Sequence, residues 1–437
     1  MTRHRTGAPP SQLRPPRKET PVTTTAHDSP TDAPPDCAAQ RRVLTVLVAS
    51  QILSGAGLAA GITVGALLAQ DMLGSTDLAG LPSALFTAGS ALAAVGVGRV
   101  SHSRGRRPGL AAGYLTGAVG SAGVVAAAAA GSAVLLFVAL FVYGAGTAAN
   151  LRARYAGADL AAPAHRARAV STVLVATTLG GVVGPTLAGP TGVLADTLGM
   201  PTLAGPFLLA GAAYGLAALV LLVWLLPDPL LLSRRLEAER HTATTATAPA
   251  PGAGRGPDLV LGTLTMILTQ LVMVAVMTMT PVHMHDHGHG TTASGLVIGI
   301  HVGAMYLPSP LTGWLVDRYG RRTVAAASGL TLLAAGLTAA AAPAHSVAPL
   351  ALALALLGLG WNFGLVSGTV MITDALPPAT RAKAQGMVDV SIAVAGAAGG
   401  LASGVVVSVG GFPILALASG LLALALLPAV AATANSR

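Results

Sequence analysis

Charge is scarce in this chain of 437 residues: Asp, Glu, Lys and Arg together make up 9%, against 53% hydrophobic residues. A soluble domain carries about a quarter charged residues, so a soluble fold is excluded and a chain that crosses a membrane many times is predicted. Cysteine occurs once, at Cys37, which leaves no disulfide framework and no cysteine-ligated metal centre. The only lysines are Lys18 and Lys383, and neither follows glycine. A phosphate-cradling loop with its lysine is therefore missing, and ATP hydrolysis by that route is excluded. No enzyme activity and no cofactor are expected. Aromatic residues reach 3%, a level compatible with a small or an aliphatic binding cavity.

What the chain has is length in apolar runs. Hydropathy places helices at about 43–70, 78–100, 108–130, 133–152, 167–190, 203–227, 259–282, 292–316, 322–343, 347–371, 385–408 and 411–431, each near the twenty or so residues that span a bilayer. These are twelve spans, so the predicted class is an all-α membrane protein. Residues 1–40 are rich in Pro, Thr, Asp and Arg without apolar period and read as a disordered tail, not a signal peptide. Residues 41–228 form the first six-helix half, 229–257 a linker, 258–431 the second half, and 432–437 a short tail. The linker opens with RRLEAER, a solvated helical turn, and continues as a flexible Ala/Thr/Pro/Gly-rich stretch.

The formal charge of +9 would suggest nucleic acid in a soluble protein. Counted along the spans, all 25 Lys and Arg fall on one side. That asymmetry predicts both termini in the cytoplasm of a multi-pass protein of the cytoplasmic membrane, and no nucleic-acid partner.

Two short basic turns are spelled alike: GRVSHSRGRR from Gly98 to Arg107 and GWLVDRYGRR from Gly313 to Arg322, 215 residues apart. The same offset places Asp71 on Asp286, Gly105 on Gly320, and DLAAPAHRARA from Asp159 on DALPPATRAKA from Asp374. Gly181, Gly184 and Gly189 likewise fall on Gly396, Gly399 and Gly404. A register held over more than a hundred residues predicts two copies of one unit, hence two pseudo-symmetric six-helix halves in parallel topology.

The spelling G-x-x-x-D-R-x-G-R-R at Gly313, Asp317, Arg318, Gly320, Arg321 and Arg322 resembles the signature loop of the major facilitator superfamily, over roughly residues 41–431. The resemblance implies twelve helices, alternating access about a central cavity, and a latch on the cytoplasmic side. In it Asp317 faces the start of the fifth span, Arg321 or Arg322 pairs with Asp374, and Arg106 or Arg107 pairs with Asp159. Gly98 and Gly105 complete the first-half copy, where His102 and Ser103 replace the aspartate and arginine and weaken the latch or make it pH-dependent. Topology determinants alone are the plainer reading of these residues.

The fifth span carries G-x-x-x-G-P at Gly180, Gly184 and Pro185, similar to a motif of drug-exporting antiporters in that superfamily; glycines four apart let a neighbouring helix approach closely. Ala188 departs from that pattern, and Phe141 stands where the fourth span of such exporters has an arginine. Proton-coupled export of a small organic molecule by a monomer is the leading expectation, with uptake of a metabolite as the alternative. His301, roughly 14 Å into its span, and Asp389 are the candidates for carrying a proton; a packing histidine and a loop-paired aspartate are the alternatives. Asn150, Trp361 and Asn362 are candidates for lining the cavity, because the first, fourth, seventh and tenth spans do so in the family. His283, His285, His287 and His289 alternate along HMHDHGH and in an extended loop would share one side, so a metal-responsive protein is a further alternative.

Overall fold

The computed structural model describes residues 35–73, 81–243, 256–289, 291–343 and 345–434, and among them there is helix and no strand. Fifteen α-helices follow one another: α1 Pro35–Leu73, α2 Leu81–Arg104, α3 Arg106–Ala130, α4 Ala133–Ala158, α5 Arg166–Thr186, α6 Ala188–Thr197, α7 Gly205–Trp224, α8 Pro229–Ala243, α9 Gly256–Asp286, α10 Thr291–Tyr306, α11 Ser309–Tyr319, α12 Arg321–Ala340, α13 Val347–Ala375, α14 Pro378–Ala423 and α15 Leu426–Ala434. Hydrocarbon offers no partner to a bare N–H or C=O, so an apolar chain crosses it with its backbone bonded to itself.

Nine described stretches are long and apolar enough to cross a bilayer. One of them, Pro378–Thr433, changes direction at Gly411, whose backbone leaves the helical region at φ 79° and ψ 171°. It therefore makes two crossings, and α1 and α2 supply the other two of the twelve. The fifth span is α5 continued by α6 and the eighth is α10 continued by α11. Loops are tight: Gly131, at φ 63°, closes α3 with its N–H on Ala127 and Ala128, and the Ser132 hydroxyl accepts from Leu135 N–H to open α4.

The outer surface is apolar, with Val119 67%, Val134 75%, Leu401 79% and Val409 87% exposed, as lipid-facing positions must be. Inside, small residues set the spacing. A methyl group on Gly180 would stand 2.0 Å from Ile52 O, and one on Gly55 would stand 2.4 Å from Thr177 O, so α1 and α5 touch backbone to backbone. One apolar core runs from Val43 to Leu225; the second, built on α9 to α14, also takes in Ala158, Ala167, Val170 and Leu174 of α4 and α5.

Several expected boundaries move. The helix of the first span starts at Pro35, inside the predicted tail, whose residues 1–34 lie outside the described residues. The linker begins with fifteen ordered residues of α8, and its Pro/Gly-rich part, 244–255, lies outside them too, as do 435–437 of the last tail. Hydropathy ends the fourth span at 152, but α4 continues to Ala158, because Arg152 and Arg154 in its last turns face the carboxylate of Asp389 instead of water.

Candidate functional site at the seam between the halves

The halves meet through two crossings related by the internal repeat. Gly98 of α2 packs on Gly386 of α14, and Gly313 of α11 packs on Ser171 of α5; both pairs of counterparts are 215 residues apart. A methyl group on Gly313 would stand 2.5 Å from Ser171 Oγ and 2.9 Å from Ala167 O, while one on Gly98 would stand 3.1 Å from Arg152 Nη1. Hydrogen bonds and ion pairs between the halves gather beside these crossings, at the end of the bundle that carries the basic turns.

Two acidic residues organise that end. Asp159, 5% exposed, accepts from Arg106 Nε at 2.8 Å within its own half and from Arg381 Nη1 at 3.4 Å across the seam. Asp374, its repeat counterpart, pairs with Arg321 of its own half and with Arg166 across the seam. Arg106 also donates to Gln385 Oε1 at 2.6 Å, a third tie between halves. Arg321 and Arg322 share Asp258 at 2.9 and 2.5 Å, whereas Arg107 bonds Leu222 O and Arg318 is exposed. Gly105 and Gly320 turn the chain between the paired helices at φ 99° and 91°, a region L side chains rarely adopt. A cavity of about 1110 Å³ opens beside these charges, lined by Arg41, Asp159, Arg166, Arg321, Asp374 and Arg381 among others.

The repeat also breaks at the two basic turns. Asp317 caps the start of α5, accepting from Ala167 N and Arg168 N at 3.1 Å each, with the Arg168 guanidinium 3.5 Å away. A carboxylate on helix N–H groups complements the positive end of the helix dipole. Its first-half counterpart, His102, makes no such cap. Arg234 of α8 instead spans the gap, donating to His102 O at 3.0 Å on one side and to Pro378 O and Ala379 O at 3.0 Å each on the other.

Deeper along the seam, Asp389 of α14 faces two arginines of α4. Arg154 Nη2 donates to its Oδ1 at 2.9 Å, Tyr155 OH donates to the same oxygen at 3.1 Å, and Arg152 Nε lies 3.6 Å from Oδ2, beyond hydrogen-bond reach. Arg152 and Arg154 are 1% and 2% exposed; Arg154 also donates to Thr369 Oγ1 at 3.1 Å and lies over the Tyr155 ring at 4.3 Å. Two buried guanidinium groups thus share one carboxylate. Both lie within the last two turns of α4, not in the loop that follows it. The cross-half partners of Asp374 and Asp159 are Arg166 and Arg381, which the overlay of Asp159 on Asp374 matches to each other.

The other sequence candidates are distributed as follows. Asn150 donates to Ser54 Oγ at 2.8 Å, in a first-half network with Gln51, Tyr114 and Thr177. Asn362 accepts from Thr312 at 2.5 Å and donates to Met305 O and Ser309 Oγ at 2.7 Å, so its amide is spent inside the second half. Trp361 donates to Gln270 Oε1 at 2.8 Å and meets Tyr306 edge-on at 5.7 Å. His301 is fully buried, with Nδ1 on Leu354 O of its own half at 2.9 Å and Nε2 unpartnered. Gly180 makes the α1 contact described above, Gly184 is buried, and after Pro185 the helix ends at Thr186 and resumes at Ala188.

The histidine segment is not extended. His283 and His285 lie in the last turn of α9, so their alternation no longer gives one face; His283 instead stacks on Phe412 at 4.4 Å and lies 4.3 Å from the His287 ring. A helix places i and i+4 together and i+2 apart. Among the described residues no cluster of three metal-ligating side chains forms.

These features are those of a membrane carrier built from two six-helix halves. The family model of the Major Facilitator Superfamily matches residues 47–307 and 262–435, and the chain belongs to that superfamily. It is 54% identical over 393 residues to the uncharacterized MFS-type transporter YddS of Bacillus subtilis, covering 89% of this chain and 90% of that one. It is 33% identical over 356 residues to the riboflavin transporter RfnT of Brucella anthropi, covering 81% and 86%. Among solved structures, the human organic anion transporter MFSD10 superposes with TM-score 0.72 at 17% identity, over 91% of this chain and all of that one. The proton:xylose symporter XylE does so with TM-score 0.68 at 17% identity, over 91% and 95%. The protein is a multi-pass membrane transporter of a small molecule, not an enzyme.

Proposed function

We propose that the chain is a secondary carrier of the cytoplasmic membrane, both termini inside, that works as a monomer and exports a small organic molecule in exchange for protons. Its halves, 41–228 and 258–431, rock about the seam, and the ion pairs of Asp159 and Asp374 across it support a reading in which the basic end is closed and faces the cytoplasm. The observation that carries this reading is Asp389, 10% exposed, held between Arg152 and Arg154 of the opposite half. A carboxylate inside a membrane protein is costly unless paired, and neutralises when its cationic partners leave. Protonating Asp389 therefore removes one tie across the seam and leaves two guanidinium groups without an anion. A substrate with an acidic or strongly accepting group fits that vacated pairing, so proton and substrate alternate on the same arginines. His301, bonded within one half, is the weaker candidate for this role.

The test is transport in oriented proteoliposomes under an imposed pH gradient, with a panel of organic acids and riboflavin. Asp389→Asn is expected to abolish uphill movement while downhill exchange continues. Uphill movement that persists in this variant would remove Asp389 as the proton carrier.

A second reading, uptake of a metabolite with protons, is supported by the likeness to the riboflavin transporter and by the missing export-type arginine at Phe141. Reversing the gradient in the same vesicles separates the two directions.

A further inference from the structure

Outside the seam, α3, α7 and α8 meet around a second cavity of about 340 Å³, roughly ten water volumes, whose walls include Arg104, Arg107, Leu222, Leu226, Leu231 and Arg235. One carboxylate, Asp228, shares the wall, and its oxygens are already occupied. Oδ2 accepts from Arg107 N at 2.7 Å, and Oδ1 accepts from Leu230 N and Leu231 N at 3.0 and 3.1 Å, capping α8. Arg107 directs its guanidinium to the neutral Leu222 O. Arg104 and Arg235 have neither a hydrogen bond nor an ion pair among the described residues. Three guanidinium groups against one carboxylate leave the cavity with an excess of positive charge.

Its rim is apolar and turned outward. Val223, Trp224 and Leu226 are 47%, 51% and 41% exposed at the end of α7, where the lipid-facing surface of that span runs into the cavity. An exposed tryptophan beside a cationic pocket belongs at the headgroup level of a bilayer. A freely soluble ion would gain nothing from leucine walls, whereas a phospholipid places its phosphate on the arginines and its glycerol and first methylenes on the leucines. We propose that this cavity binds the phosphate group of an anionic phospholipid.

The site is coupled to the gate through α8. The same short helix that Asp228 caps carries Arg234, which ties His102 to Pro378 and Ala379. An anion held between Arg104 and Arg235 draws α8 onto the ends of α2 and α3, and so favours the state in which Arg234 bridges the halves. This holds whichever cargo the carrier moves.

The experiment is native mass spectrometry of the full-length protein from micelles doped with phosphatidylglycerol or phosphatidylcholine, with inorganic phosphate as competitor. The protein is expected to retain one phosphatidylglycerol and not phosphatidylcholine. The double variant Arg104→Gln, Arg235→Gln is expected to hold it roughly thirtyfold more weakly. A control, Arg99→Gln with Lys383→Gln, removes the same charge from exposed positions elsewhere at the basic end and is expected to bind as the wild type does. Equal retention by wild type and pocket variant, or equal loss in the control, overturns the proposal. Displacement of phosphatidylglycerol by millimolar phosphate keeps the anion site but overturns its assignment to lipid. Monodisperse elution of each variant, with a thermal stability gain from phosphatidylglycerol in the wild type alone, separates lost binding from lost folding.

Discussion

Arg166 and Arg381, 215 positions apart, make the same contact from opposite halves: each reaches over the seam to the aspartate that the other half already holds with its own arginine. The two contacts differ in burial, since Asp159 and Arg106 have fully buried side chains while Asp374 and Arg321 are 16% and 26% exposed. Removing one partner from a fully buried pair costs about 3–5 kcal/mol, and from a partly exposed pair about 1 kcal/mol or less. Asp159→Asn is therefore expected to open the basic end far more than Asp374→Asn. Spin-label distances between cysteines placed at Arg104 and Lys383, with Cys37→Ser as background, would read the difference; equal widening in both variants would contradict it.

The interior triad depends on the shape of guanidinium as well as its charge. Arg154 donates through Nε to Thr369 and through Nη2 to both Asp389 and Tyr155, and a lysine ammonium cannot reproduce that fork. Losing one or two charge-assisted hydrogen bonds is worth about 1.5–3 kcal/mol each, so Arg154→Lys is expected to lower transport roughly ten- to a hundredfold. Arg152→Lys should cost less, because Arg152 meets Asp389 at 3.6 Å without a hydrogen bond. Initial rates in the proteoliposome assay compare them.

Close packing at the seam gives a steric prediction. Gly313→Val would force side-chain atoms into Ser171 and the Ala167 carbonyl, a conflict of about 1–3 kcal/mol that exists only while the basic end is closed. The variant is expected to favour the state open at that end, seen as faster thiol labelling of a cysteine introduced at Ala169. Gly404→Ala, with nothing within 4 Å of the added methyl, is expected to leave labelling unchanged.

Arg234 is expected to act as the bridge that the first half lacks. Arg234→Ala removes donors to His102, Pro378 and Ala379 and should widen the same spin-label distance, by less than Asp159→Asn does, because its acceptors are neutral and partly exposed. Restoring an aspartate by His102→Asp in that background is expected to bring the distance back toward the wild-type value, as Asp317 does for the opposite crossing.

The histidine segment is expected to be dispensable for transport. With His283 stacked on Phe412 and His285 on another face of the helix, replacing all four histidines by alanine should leave rates unchanged, with or without a chelator. A zinc-dependent rate lost in that variant would restore a metal role.

Much of the fold was legible because membrane sequences state their constraints in composition. Runs of apolar residues, interrupted where arginines gather, fix where helices lie, and the repeat shows that one unit occurs twice. The contacts of Asp159 and Asp374 with Arg106 and Arg321 were within reach of that repeat. The fourth helix runs past its expected end at 152 because a hydropathy window cannot tell an arginine in solvent from one, like Arg154, paired with a carboxylate 235 residues further on. The histidine alternation misled for a related reason: period two means one face in a strand, and α9 runs on through His285 as a helix.

The sequence alone determined the helical class and the presence of two copies of one unit, since these follow from the cost of exposing polar groups to hydrocarbon and from the repeat itself. Tertiary structure decided which charges meet. Which arginines Asp389 meets, and which carbonyl His301 meets, depends on which helix of the other half or the same half stands beside it. That arrangement is set by the glycine contacts that let α2 lie on α14 and α11 on α5, and no local pattern encodes it.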